Sequence, residues 1–193
     1  MIRKNFLMHS YLTERCGKMK KEHSPSEGIY AFPPFPVVMV TVKDNIITVG
    51  AVHIFSFNPP LYGIGIVPKR YSHGLVEEAN EFVINFPTRE QIEALEFCGT
   101  KSGRDVNKFK KLGLTPQRGK TVETMLIKEC PANIECKVIK KIDLGGSHTW
   151  FIGEIQAVHI DEKYDTSHTL AYDLQRKYRT VGEVVFTRPK AKK

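Results

Sequence analysis

Long apolar runs are missing from this 193-residue chain. None approaches the roughly 20 residues that a membrane-spanning helix needs. The basic and apolar opening, residues 1–8, is interrupted by His9, Ser10 and Thr13-Glu14-Arg15, too early for a signal peptide. A cytoplasmic location is the expectation that follows. Cysteine is scarce: Cys16, Cys98, Cys130 and Cys136 form no C-x-x-C pair, and the seven histidines make neither H-x-x-x-H nor H-E-x-x-H. That disfavours structural zinc and zinc hydrolases, so no metal ligands are assigned and the thiols are expected to be reduced and buried. A Rossmann G-x-G-x-x-G and a Walker G-K-[ST] spacing are also lacking, and no carboxylate pair or serine triad can be composed. If the chain is an enzyme, the difficult chemistry belongs to a cofactor.

What is present begins with charge. The net value is +8, but residues 1–22 carry six Lys/Arg against two Glu, and residues 187–193 carry four more cations. The stretch between them is neutral. A nucleic-acid surface would spread its charge over the fold; excess confined to the ends reads as solvated tails and argues against a nucleic-acid partner.

Residues 1–28 are polar and basic, without periodicity, and end in Ser24-Pro25-Ser26-Glu27-Gly28, which is linker chemistry. Met19-Lys20-Lys21 reads as a second translation start, leaving residues 1–18 outside the fold. The ordered core is expected from Phe35. Residues 37–42 form a β-branched strand, and residues 43–45 a turn in which Asn45 takes a positive φ. A second strand starts at Ile46 and is stopped by Asn58-Pro59-Pro60. A third strand spans Leu61 to Val67, with Gly63 and Gly65 leaving one face bare. Ser72 is placed as the cap of a helix, and Thr88 with Gln91 as a capping box before another. Residues 82–86, 134–142 and 149–160 read as strands, the last two joined by Gly145-Gly146, while residues 166–178 fit helix or loop equally. Hairpins first and helices later favour a β-barrel with peripheral helices over a doubly wound sheet.

Three segments could carry chemistry. Lys69-Arg70-Tyr71-Ser72-His73 sets two cations and a hydroxyl at a helix N-terminus, where backbone N–H groups and the dipole favour an anion such as phosphate. An ordinary surface cap is the competing reading. Residues 99–120 hold seven Lys/Arg against one Asp, punctuated by Gly99 and Gly103, with Ser102 as a further donor. Such a loop either wraps an anion or forms a solvated face. His148, after Gly145-Gly146-Ser147, opens the last long strand. It could touch a cofactor edge, shuttle a proton, or close a turn.

The order of motifs resembles the flavoredoxin branch of the flavin-reductase-like family. The resemblance rests on Phe35-Pro-Val-Val-Met-Val-Thr41, Ser56-Phe-Asn-Pro-Pro60, Arg70-Tyr-Ser-His73, Phe82-Val-Ile-Asn-Phe-Pro87, Ser102-Gly-Arg-Asp-Val-Asn-Lys-Phe109, Glu135-Cys-Lys137 and Leu144-Gly-Gly-Ser-His-Thr-Trp-Phe-Ile-Gly-Glu154. It implies a mainly β fold with peripheral helices, a split β-barrel of the FMN-binding type, over residues 29–186. Residues 1–28 then form a flexible basic extension and residues 187–193 a basic tail. It implies FMN held by Asn45, Arg70, Ser72, His73, Ser102 and Lys108, with Thr48, Val49, Gly50, Ala51, Val52 and His53 passing along the ring and His148 a tentative catalytic contact. Ala51 stands where flavoredoxin-like members can place an aromatic residue. The implied function is an NAD(P)H-dependent reductase of flavin or ferric acceptors. The alternative is an electron carrier without pyridine-nucleotide activity, serving a small-molecule or redox-protein acceptor. The implied assembly is a homodimer.

Overall fold

The computed structural model of the chain describes residues 20–182, 184, 185 and 187. Among the described residues, those up to Phe32 and those from Pro33 onward form separate units. In the first, Ser24 and Glu27 make a reciprocal capping box on a short 3-10 turn, Pro25–Ala31. Most of the expected extension, residues 1–19, and all of the expected basic tail except Thr187 lie outside the described residues.

The second unit runs β1 (Phe35–Pro36), β2 (Val38–Val42), β3 (Asn45–Val49), β4 (Val52–Phe57), β5 (Pro60–Ile66), α1 (Tyr71–Ala79), β6 (Glu81–Phe86), α2 (Ile92–Thr100), α3 (Lys108–Leu112), β7 (Pro116–Gln117), β8 (Leu126–Ile127), β9 (Ala132–Asp143), β10 (Thr149–Ile160), β11 (Leu170–Asp173) and β12 (Lys177–Thr180). Seven strands form one antiparallel sheet in the order β3-β2-β6-β9-β10-β5-β4, curled into a half-barrel. The fold is a mainly β split barrel with peripheral helices.

Four local expectations are corrected. The second strand is two strands: the chain bends at Gly50-Ala51, and β3 and β4 end up on opposite edges of the sheet. Only small residues fit that bend. A Cβ on Gly50 would lie 2.7 Å from the Phe35 ring, and the Gly65 N–H donates to the Ala51 carbonyl at 2.7 Å. The positive φ of the first turn falls on Lys43, at 54°, and not on Asn45. Asn45 is extended because it pairs with Val42 and opens β3. The helix cap is Arg70, so Ser72 lies inside the first turn of α1. The ambiguous tail is a short turn, Thr166–His168, followed by the β11–β12 hairpin, which pairs with β1.

Strand β2 explains the uninterrupted apolar run that marks the core. Val38, Val40 and Val42 face a cluster with Ile64, Phe82, Ile84 and Phe151, while Val37 and Met39 face another with Ile46, Leu95, Phe109 and Ile127. A strand buried on both faces shows no polar alternation. The buried Asn85 amide is paired through both its nitrogen and its oxygen. Asn85 donates to the Met39 carbonyl and Thr41 Oγ1 and accepts from the Ile127 N–H and Asn133 Nδ2.

Glu135, fully buried on β9, clasps the loop ahead of β8. Its carboxylate accepts from the N–H groups of Lys120, Thr121 and Val122, from Thr121 Oγ1, and contacts His159 Nε2 at 2.6 Å. Burial alone would raise its pKa, but the Lys120 N–H, the Thr121 hydroxyl, His159 and the Thr121 N–H outweigh it and hold the value at about 2. A depressed carboxylate pKa stabilises the fold above the unfolded value and ceases to do so as pH falls through the folded one. Glu135→Gln is therefore expected to cost about 1.5–3 kcal/mol at neutral pH, the range for a hydrogen bond to a charged group. In urea unfolding, the gap between wild type and variant should close as pH falls from the ordinary glutamate value of about 4.5 towards about 2. A gap independent of pH over that interval would show that the charge is not what holds the loop.

Candidate functional site

The chain leaves β5 at Ile66, reverses through Val67-Pro68, and enters α1, with the Arg70 N–H bonded to the Val67 carbonyl at 2.9 Å. This places the first turn of α1 beside the start of β3. Asn45 Nδ2 donates to Ser72 Oγ at 2.7 Å, and both residues are buried. Asn45 Oδ1 is buried without a hydrogen-bond partner. The loop after α2 closes over the same point: a Cβ on Gly103 would meet Asn45 Oδ1 at 2.0 Å, so only glycine fits there.

Lys108, the first residue of α3, is only 3% exposed. Its ammonium group donates to the Ile46 carbonyl at 2.5 Å and the Cys98 carbonyl at 3.0 Å. Burial lowers its pKa; the Cys98 thiol opposes that shift and Arg70 adds to it. Burial likewise pushes the Cys98 thiol up to about 11, so it is no thiolate nucleophile near neutral pH.

Around these groups opens a cleft of about 200 Å³, lined by Ile47, Lys69, Arg70, Tyr71, Ser72, Cys98, Gly99, Lys101, Ser102, Gly103, Arg104 and Lys108. Arg104 lies over the Tyr71 ring, its guanidinium carbon 5.0 Å from the centroid. Among the described residues, the ion pairs engage none of the five cleft cations. A cationic, partly desolvated hollow with hydroxyl donors and a helix N-terminus can hold a phosphate.

Of the residues singled out from the sequence, the structure brings Arg70, Ser72, Ser102 and Lys108 to the cleft, with Asn45 bonded to Ser72. Thr48 donates to the Leu95 carbonyl instead; Val49 is core, Val52 is half-buried and His53 is exposed on β4. Gly50 and Ala51 form the bend. His73 packs edge-on against Phe151 at 5.2 Å, with Nδ1 3.3 Å from Glu77 and Nε2 unpartnered. His148 lies beside Gly65, and its Nδ1 is 2.8 Å from Ser147 Oγ. Lys69 and Gly103, noted in the two candidate anion segments, also line the cleft, as do Tyr71, Lys101 and Arg104, to which the sequence attaches no individual role. The basic loop and the glycines were visible, but which of its cations turn inward depends on the Gly103–Asn45 contact, which sequence spacing does not reveal.

The flavin reductase like domain family matches residues 31–182. The chain belongs to that family. It is 41% identical over 129 residues to an uncharacterized protein of Archaeoglobus fulgidus, covering 67% of this chain and 72% of that one. Among solved structures it is similar to the flavoredoxin of Desulfovibrio vulgaris (Miyazaki F), at 28% identity and a TM-score of 0.80, over 89% of this chain and 99% of that one. An FMN-binding protein from Thermus thermophilus is similar at 25% identity and a TM-score of 0.76, over 89% and 99% of the two chains.

Family membership leaves open how tightly the loop is seated on Asn45. Gly103→Ala should cost about 1–3 kcal/mol, as overpacking does. Asn45→Ala should relieve part of that cost, giving a coupling above about 0.5 kcal/mol in a double-mutant cycle measured by urea unfolding. Additive costs would mean that the loop does not press on Asn45.

Proposed function

We propose that the chain binds FMN through this cleft and works as a flavin-dependent oxidoreductase, taking electrons from NADH or NADPH and delivering them to flavin or ferric acceptors. The observation that carries the reading is the buried set of Asn45, Ser72 and Lys108 beneath cations that no carboxylate among the described residues neutralises. The residues fit the cofactor. Ser72 and Arg70 supply a hydroxyl and a planar fork for a phosphate, and Lys108 supplies a fixed charge at the floor. Asn45 positions the Ser72 hydroxyl beneath the cleft cations, with its own Oδ1 buried under Gly103. The flavoredoxin and the FMN-binding protein to which the chain is similar support the same cofactor.

When bound, the flavin would accept a hydride and release electrons singly or in pairs. The protein's part is to anchor the phosphate and leave room for a flat ring. The ring is assigned to pass along the backbone of Thr48 to His53, where Phe35 covers Gly50 and Trp150 and His148 approach Gly65. His148, beside Gly65, is assigned to hold or pass a proton at that edge. Residues 29–186 are the flavin-binding domain in this reading.

A homodimer belongs to the proposal as well. β4 is an edge strand whose Ile54, Phe55 and Phe57 are 40%, 48% and 85% exposed, and it carries no charge other than a histidine. Monomers usually blunt such an edge with charged residues. Phe55 packs over Gly63 and lies 5.6 Å from Trp150, so this edge strand covers part of the neighbouring sheet face itself.

Purified protein should carry close to one FMN per chain. Ser72→Ala should weaken FMN by about 1–3 kcal/mol, the worth of a lost charge-assisted bond, and leave riboflavin nearly unchanged; equal losses would make Ser72 a folding residue only. Anaerobic stopped-flow with NADH and NADPH should show flavin bleaching. Bound FMN that neither nucleotide reduces would replace the reductase with an electron carrier. Sedimentation at falling concentration should show a dimer, and a monomer with full FMN affinity would remove the shared assembly.

A further inference from the structure

Asn45 is only 5% exposed, and its two polar atoms have different surroundings. Nδ2 donates to Ser72 Oγ at 2.7 Å. Oδ1 has no hydrogen-bond partner and lies under Gly103, where a Cβ would come within 2.0 Å of it. The Cα hydrogen that glycine carries in place of that Cβ is turned toward the oxygen, a weak C–H···O contact. The oxygen that a ligand donor would seek is therefore the atom that Gly103 seals.

The amide is held in this orientation by what the other one would cost. Turned over, it would set two N–H donors under Gly103 with no acceptor, and orphaned buried N–H groups are rarer than under-satisfied oxygens. With the nitrogen on the serine side, the polarity of the pair is fixed: an amide nitrogen only donates, so Ser72 Oγ accepts. The Ser72 hydrogen must then point elsewhere. Ser72 makes no other side-chain hydrogen bond among the described residues, is 3% exposed, and lines the cleft. A buried donor without an acceptor is costly, and the cleft is where a ligand acceptor can reach it. Lys108 is committed in the same sense. Two of its three N–H donors hold the Ile46 and Cys98 carbonyls, leaving one to offer.

We infer that Asn45 acts on the ligand only through Ser72: it is a positioning residue that makes the Ser72 hydroxyl a fixed donor, so that the cleft selects an oxyanion, which only accepts, over a ligand hydroxyl. This rests on the reading of the cleft as a flavin-phosphate site. It departs from the direct FMN contact that the family resemblance implied for Asn45.

The test titrates ligand-free, full-length protein with FMN and riboflavin by calorimetry. Wild type, Asn45→Ala, Ser72→Ala and the double variant are compared, each checked by a thermal melt. Inorganic phosphate, read by thermal shift at matched ionic strength, is the probe without a flavin ring. Asn45→Ala should weaken FMN about three- to tenfold, the size of one hydrogen bond, and leave riboflavin unchanged. In the Ser72→Ala background the same substitution should change FMN by less than about twofold, the scatter of independent sites. A purely structural role for Asn45 would weaken both flavins together. Asn45→Asp, close in shape to the native amide, keeps the test open if Asn45→Ala does not fold. Its carboxylate only accepts, so Ser72 must donate to it; FMN should weaken further than in Asn45→Ala, and riboflavin should not change. Loss of riboflavin in either Asn45 variant, or an Asn45→Ala effect on FMN that persists without the Ser72 hydroxyl, overturns the inference and leaves the flavin site standing. The same hierarchy for phosphate, with neither flavin bound, would remove the flavin reading and leave the role of Asn45 standing. Wild type that binds none of the three removes both.

Discussion

A buried ammonium group held by two carbonyl oxygens sets the form of the cleft. Lys108 joins the start of β3, through Ile46, to the end of α2, through Cys98, and it does so from the first residue of α3. Burying an unpaired cation is costly, and two neutral carbonyls offset only part of the cost. Burial and nearby Arg70 both act to lower its pKa. Such a charge is poorly explained as a stability device, because an apolar residue of the same length would avoid the desolvation. It is well explained as the fixed counter-charge for an anion that binds in its place.

The split barrel makes that arrangement available. The bend at Gly50-Ala51 sends β3 and β4 to opposite edges of the sheet, so β3 is free to receive the helices on one side. β2 and β3 are then buried between the barrel core and the α2–α3 layer. The first turn of α1, the end of α2 and the start of α3 converge there, and each brings a different polar element: the Ser72 hydroxyl, the Cys98 carbonyl and the Lys108 ammonium. None of them is adjacent in sequence. The contact that completes the site is steric, a glycine seated on an amide oxygen.

Much of this was legible before the structure. The β-branched run at Val38–Val42 and the long hairpin from Ala132 to Ile160 announce themselves by composition, because β-branched and aromatic residues pack well on pleated surfaces. Ser72 and Lys108 stood out through the residue types around them and the family resemblance. Other features were not legible, for identifiable reasons. A turn residue's φ is set by strand register, so Lys43 and not Asn45 takes the left-handed conformation. A two-residue bend inside an apolar run looks like a continuous strand, which hid the split between β3 and β4. The β11–β12 hairpin is fixed by tertiary packing. Tyr172 lies 6.1 Å from Phe35 and 5.0 Å from Tyr178, and the Tyr178 hydroxyl bonds Glu96, with no local pattern to announce it.

The central claim is that the cleft recognises the phosphate of a flavin. Its most direct test is a side-by-side titration of ligand-free wild-type protein with FMN and riboflavin, which differ only in that phosphate. Each tenfold ratio in affinity corresponds to about 1.4 kcal/mol. If the Lys108 ammonium, the Arg70 guanidinium and the Ser72 hydroxyl hold the phosphate as proposed, FMN should bind at least about a hundredfold more tightly, on the order of two charge-assisted hydrogen bonds. Equal affinity for the two flavins, or binding of neither, would contradict the account.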